Sequence, residues 1–180
     1  TNMESLKGMF LVSMPALKGD YFQHSVTFLV DHNRDGAFGL IINLPTSSKL
    51  GEIFPEIDGD ANVGVLEGGP VEQDRIFFLH SPDKHYDSSV IVNPDATLTT
   101  SAHLISDLAI NNAPDKLLAL VGYAGWGAGQ LENEILADAW LVTPFDSSIL
   151  FGTDFKHKPQ AAAKLMGLDL NLIGANSGHG

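Results

Sequence analysis

A chain of 180 residues fits one domain, which buries roughly 70% of the surface its unfolded form exposes, so it needs no disulfide or metal to fold. With 22 Asp and Glu against 10 Lys and Arg, the net charge of −12 repels phosphate backbones and anionic lipid, and direct nucleic-acid binding is disfavoured. Zero cysteines exclude disulfides, thiol nucleophiles and iron–sulfur clusters; with no run near the ~20 apolar residues of a membrane span and no signal-like start, the expectation is a soluble cytoplasmic protein.

Residues 1 to 7 are polar and are expected to fray, as is the glycine-rich tail from Gly174 to Gly180. Met9 to Met14 reads as a buried strand stopped by Pro15. The runs Ser25–Val30 and Ala37–Ile42 are β-branched or aromatic, and Asn33-Arg34-Asp35-Gly36 between them supplies a hairpin turn. Lys49 to Phe54 is a short helical piece. Strands are predicted at Gly64–Leu66, Ile76–His80 and Ser89–Val92. Thr100 or Ser101 caps a helix that places Leu104, Ile105, Leu108 and Ala109 on one face and ends at Asn111-Asn112. A strand over Lys116–Val121 leads into the glycine-rich stretch Gly122 to Glu132, with an exposed-looking Trp126. A helix over Gly129–Asp138 then turns Leu131 and Ile135 inward. Trp140–Val142 is a last strand and Pro159–Met166 a short helix. Strand and helix signals are segregated, which means α+β; a parallel doubly wound sheet would want a helix after most strands, and residues 25 to 43 hold none.

Taken in order, these segments resemble the AlgH/YqgE family of bacterial proteins. The resemblance rests on Gly8 to Pro15, Phe22, Ser25-Val26, His32, Gly36 to Asn43, Gly68-Gly69-Pro70-Val71, Leu98 to Ser101, the Gly122 to Trp126 segment running into Gln130-Leu131-Glu132, and Ala139-Trp140. It implies one domain over 1 to 180, with an ordered core of about 8 to 167. The implied fold is mixed and largely antiparallel, a bifurcated sheet with a small barrel-like part, flanked by helices. The family name comes from a member linked to alginate regulation, and the resemblance carries over no catalytic residues. Leu44 and Pro159 stand where an arginine and a tryptophan are commoner, and the first removes a cation beside a polar site.

The candidate ligand-binding set is Asn43, Gly68, Gly69, Trp126, Gln130 and Glu134. Gly68-Gly69 after a strand can form a nest of N–H groups for an anion, although Pro70 removes a donor and no P-loop ending follows; the plain reading is a tight turn packed on the sheet. A helix starting near Gly129 would align Gln130 and Glu134, with Trp126 as a stacking face; the plain reading is a structural connection in which Trp126 covers a core edge. Asn43 either offers its amide to a ligand or bonds its own backbone. Glu132 and Glu134 diverge by about 200° on a helix and cannot act as a paired acid and base. His80 and His85 read as solvated loop histidines, His32 as bonded locally, and Thr99, Thr100 and Ser101 as caps. No metal site and no cofactor is expected. The first functional reading is therefore a binding or regulatory module for a protein partner or a small ligand. A hydrolytic enzyme pairing Glu132 or Glu134 with a histidine is the alternative, and a transcription factor is disfavoured by charge.

Overall fold

The apolar runs become ten strands of one sheet in a computed structural model that describes residues 4–15, 21–22 and 24–173. The tail over 174–180 and the first three residues lie outside the described residues. In chain order the strands are β1 (Phe10–Ser13), β2 (Val26–Asn33), β3 (Gly36–Ile41), β4 (Pro45–Lys49), β5 (Gly64–Glu67), β6 (Val71–His80), β7 (Val90–Asn93), β8 (Ala96–Thr99), β9 (Leu117–Gly127) and β10 (Trp140–Thr143). The helices are α1 (Leu50–Ile53), α2 (Ala102–Ala109), α3 (Gln130–Leu136), α4 (Ser147–Phe151) and α5 (Lys158–Lys164). The main path runs β10-β1-β2-β3-β9-β6-β8-β7, with β4 and β5 branching from it. Among the described residues every pairing is antiparallel except that of β5 with β9.

The branch is the bifurcation that the family resemblance implies. One edge of β9 carries β5 at Ala119 to Val121 and β3 at Ala124 to Gly127, and Gly122, with φ of 74°, lies between them. Gly68 stitches the fork: its N–H donates to the Val121 carbonyl at 2.7 Å, and its own carbonyl accepts from Ile41 N–H at 2.7 Å. A Cβ at Gly69 would lie 2.0 Å from the Tyr123 carbonyl carbon, so only glycine fits this approach.

The expected barrel-like closure does not occur. The curled sheet brings Asn93 of β7 beside Gly8, just ahead of β1, where the Asn93 side-chain amide donates to the Gly8 carbonyl at 3.2 Å. Strand pairing does not form there, because the Gly8 N–H is already spent on the Leu29 carbonyl of β2.

Both faces of the central strands are covered, which explains their continuous apolar character. Phe10 and Val12 of β1 join one core with Phe28, Phe77, Leu79 and Leu120, while Leu11 between them joins a second with Leu29, Trp126, Leu131 and Trp140. A third core puts Leu104, Ile105 and Leu108 of α2 against Phe78 and Ala119. The α2 start is as expected, with the Ser101 hydroxyl accepting from the His103 N–H at 3.1 Å.

Several local readings are corrected. β4 is polar, and β8 is built from Thr97 and Thr99 as much as from apolar residues, so neither has a strand's usual signature. α4 was not anticipated; Asp146 caps it by accepting from Ser148 N–H at 2.8 Å. β6 starts at Val71, and its exposed first half carries polar side chains. β9 runs through the glycines to Gly127 where the composition suggests a connection. Residues 5 to 7 are not frayed: the Ser5 hydroxyl donates to the His32 carbonyl at 2.9 Å, and Leu6 N–H donates to His32 Nδ1 at 2.9 Å.

Candidate functional site

Trp126 is buried, not exposed, at 7% of its full accessibility. Its period-two position on β9 turns it toward the second core, where it stacks on Phe22 at 6.3 Å and meets Trp140 edge-on at 5.9 Å. Both indole N–H groups converge on one oxygen. Glu134 Oε1 accepts from Trp126 at 3.0 Å and from Trp140 at 2.8 Å, and Glu134 Oε2 accepts from the Gln130 amide at 2.9 Å. Gln130 Oε1 in turn accepts from Gly127 N–H at 3.0 Å. The structure thus brings Trp126, Gln130 and Glu134 together, but their polar atoms point at one another.

Glu132 leaves the opposite side of α3, as its spacing requires, and its Oε1 lies 3.2 Å from His32 Nε2. His32 is buried; its backbone N–H bonds locally to Asp31 Oδ1 at 2.9 Å, as expected, while its ring bonds are long-range. Nδ1 accepts the Leu6 amide proton, so the ring hydrogen sits on Nε2 and is donated to Glu132. This carboxylate and histidine are within hydrogen-bond reach. Neither ring nitrogen is left to take a proton from a substrate, however, so His32 is not placed as a general base.

The other members of the expected set lie at the fork. Asn43 Oδ1 accepts from Val26 N–H at 2.8 Å, and its Nδ2 donates to the His24 carbonyl at 2.9 Å, which ties the end of β3 to the start of β2. Gly68 and Gly69 form the packed turn described above, with the Gly68 N–H already paired.

A second polar centre lies at the far end of β6, where His80 is fully buried instead of solvated. His80 Nδ1 is 2.8 Å from the Ser81 carbonyl, and Nε2 is 2.7 Å from the Thr99 hydroxyl. Thr99 is a β8 core residue rather than a cap; its hydroxyl lies 2.7 Å from that of Ser89, which also accepts from Tyr86 N–H at 2.8 Å. Burial pushes the His80 imidazole below its ordinary value, partly opposed by the Ser81 carbonyl and the Asp83 carboxylate. Burial alone would raise Asp83, but the Ser81 hydroxyl and the Asp115 amide bonded to it outweigh that and hold it low. The Tyr86 ring stands edge-on to His80 at 5.8 Å, and its hydroxyl donates to Asp107 at 2.6 Å. Burial and that carboxylate push the phenol up. Sequence reasoning missed this centre because it unites residues of one loop with a threonine 19 positions away, and because the His80 and His85 spacing is that of a solvated loop. The available signal was the unbroken apolar run Ile76 to Leu79, whose continuous burial extends to His80.

A family model described as AlgH-like matches residues 10–171. The chain belongs to the AlgH-like family. This AlgH-like chain is 42% identical to the UPF0301 protein of Thioalkalivibrio sulfidiphilus, over 99% of both chains. It is 38% identical to that of Pseudoalteromonas translucida, covering 98% of this chain and 100% of the relative. The solution structure of the AlgH protein from Pseudomonas aeruginosa is similar with a TM-score of 0.81 at 36% identity, covering 97% of this chain and 96% of that one. A crystal structure of a Corynebacterium diphtheriae protein shares the fold at 19% identity and a TM-score of 0.75, covering 96% and 93%. Among the described residues of the AlgH-like chain, no helix is long and apolar enough to cross a membrane.

Proposed function

We propose that the chain is a binding or regulatory module that takes an extended, basic segment of a partner protein along the edge of β7 at Val90 and Ile91, ahead of the Asn93 end that Gly8 covers. The observation that carries this is the exposure of successive edge residues: β7 ends the sheet path, and Val90 and Ile91 are 48% and 61% exposed while Val92 is buried. An edge strand presents unpaired backbone donors and acceptors, and β-strand addition uses them directly. The exposed carboxylates of Asp87 and Asp95 flank the strand, and the net charge of −12 adds to their field, so a cationic strand is the complementary occupant. A small-ligand reading of Asn43, Gly68, Gly69, Trp126, Gln130 and Glu134 draws less support, since their side-chain polar groups and the Gly68 amide are bonded within the protein. A cytoplasmic location is part of the same proposal and rests on the cysteine-free composition. Direct DNA binding forms no part of it.

The test is an NMR titration with a peptide of alternating lysine and valine, in wild type and in Ile91→Lys. Shifts centred on Val90 and Ile91, weakened by salt and lost in Ile91→Lys, are expected, because an edge lysine repels a basic strand. Shifts confined to other surfaces, or none at all, would remove the β7 edge as the binding site.

A further inference from the structure

The hydrogen bonds around His80 have a defined direction. The Ser81 carbonyl can only accept, so His80 Nδ1 carries the ring hydrogen. With the imidazole neutral, Nε2 offers a lone pair and the Thr99 hydroxyl must donate to it at 2.7 Å. The Thr99 oxygen is then free to accept from Ser89 at 2.7 Å, and the Tyr86 N–H donates into Ser89 at 2.8 Å. Every proton in this chain points inward, from a half-buried serine at the mouth of β7 to a base that is wholly enclosed. Burial, which keeps His80 neutral, preserves that direction. Polarising a hydroxyl toward an imidazole whose other nitrogen is held by a carbonyl is what an activated nucleophile requires.

We infer that Ser89 is a nucleophilic hydroxyl that takes up an acyl group from an activated ester, with Thr99 relaying its proton to His80. The inference goes beyond the binding role of β7 and does not depend on it. With p-nitrophenyl acetate, the Ser89 oxygen bonds to the carbonyl carbon and the bond from that carbon to the phenolic oxygen breaks. The Ser89 proton moves to Thr99 as the Thr99 proton moves to His80 Nε2, and p-nitrophenolate leaves as the anion. The products are O-acetyl-Ser89, p-nitrophenolate and an imidazolium that later returns its proton to water. The imidazolium is supported by the Ser81 carbonyl and by the Asp83 carboxylate.

Ser88 is the internal control. It is the more exposed neighbour, yet among the described residues its oxygen accepts from Thr100 N–H at 3.1 Å and makes no bond to the imidazole chain. The experiment treats the full chain with p-nitrophenyl acetate, follows p-nitrophenolate release, and maps the acetyl group by peptide mass spectrometry. Acetylation at Ser89, one group per chain, is expected in wild type and in Ser88→Ala, and none at that position in Ser89→Ala. Thr99→Ser keeps the relay and should stay near the wild-type rate, whereas Thr99→Val should slow labelling by about 100-fold, the lower range for loss of general-base assistance. Equal rates in Thr99→Val and wild type, or acetyl groups spread over lysines and Ser88 with no excess at Ser89, would overturn the inference. Should Thr99→Val not fold by circular dichroism, the distribution between Ser89 and Ser88 in the wild type decides alone.

Discussion

His32 on β2 and His80 on β6 are both buried, yet the networks around them end differently. Around α3, each donor meets a fixed acceptor: Leu6 N–H on His32, His32 on Glu132, two indoles and Gln130 on Glu134. Those bonds fasten the N-terminal segment, α3 and β10 to the sheet and leave no side-chain group of Gln130 or Glu134 without a partner. Around His80 the bonds form a line whose outer member, Ser89, is half-exposed and keeps a lone pair free. A closed polar network rigidifies a core, while a polarised line with an accessible end can act on something outside the protein. The residue types are similar on both sides, so histidines and carboxylates alone do not distinguish a clasp from a site.

The sharpest break of the closed side is Glu134→Ala, which strands two buried indole N–H groups. An unsatisfied buried donor costs about 1–3 kcal/mol, so urea denaturation should show a loss of about 3–5 kcal/mol, with a smaller loss for Glu134→Gln. A loss below about 1 kcal/mol would mean that the indoles find water and that the network is not closed.

Lys158 tests closure with a cation. It is buried, donates to the Ile149 carbonyl and, at 2.8 Å, to the Leu150 carbonyl, closing the end of α4. Burial lowers it from 10.5 to about 8, with Asp154 opposing. The unfolded chain then holds the proton to higher pH than the folded one, so stability rises as pH climbs from about 8 toward 10.5, by about 3 kcal/mol at the limit. Lys158→Met should flatten that rise when unfolding is measured between pH 7.5 and about 10. A parallel rise in both proteins would assign it to other groups.

How far this architecture can be read from residues depends on the range of the interactions. The β2–β3 hairpin and α2 were legible because their determinants are local: β-branched runs around Asn33 to Gly36, and a Ser101 cap before Leu104. β8 was not, because Thr97 and Thr99 look like surface or cap residues until cross-strand partners bury them. The glycines from Gly122 to Gly129 read as a loop, yet most belong to β9, where Gly122 and the facing Gly68 and Gly69 let three backbones meet. Their neighbour Trp126 consequently looked exposed. The candidate set was half legible: Trp126, Gln130 and Glu134 do converge, but whether their polar atoms face outward depends on Trp140, which no helical spacing connects to them. The His80 line was illegible for the same reason, since Ser89 and Thr99 meet only through β7–β8 pairing.

On the open side, Thr99→Val should cost about 2 kcal/mol, because it leaves His80 Nε2 without a donor in a dry core. The same burial makes this half acid-sensitive. His80 titrates below its ordinary 6.5 when folded, so the stability tied to its neutral form is complete above that value and is lost as pH falls toward the lowered one. Thermal unfolding from pH 7.5 to 5 should therefore show a decline that His80→Gln reduces.

Ser89→Ala should have the smallest effect, below about 1 kcal/mol. Its removal leaves the Thr99 hydroxyl donating to His80, so the buried part of the line stays satisfied. The Tyr86 N–H that loses its acceptor lies in the turn before β7, beside exposed Asp87 and Ser88, where water can replace the serine oxygen. The contrast with Glu134→Ala is therefore the measure of the difference between the two networks: removing the central acceptor of a clasp exposes its donors to a dry core, whereas removing the last member of a line only shortens it. A loss above about 2 kcal/mol in Ser89→Ala, comparable with Thr99→Val, would show that the serine is an internal strut, and the line would then be as closed as the network around Glu134.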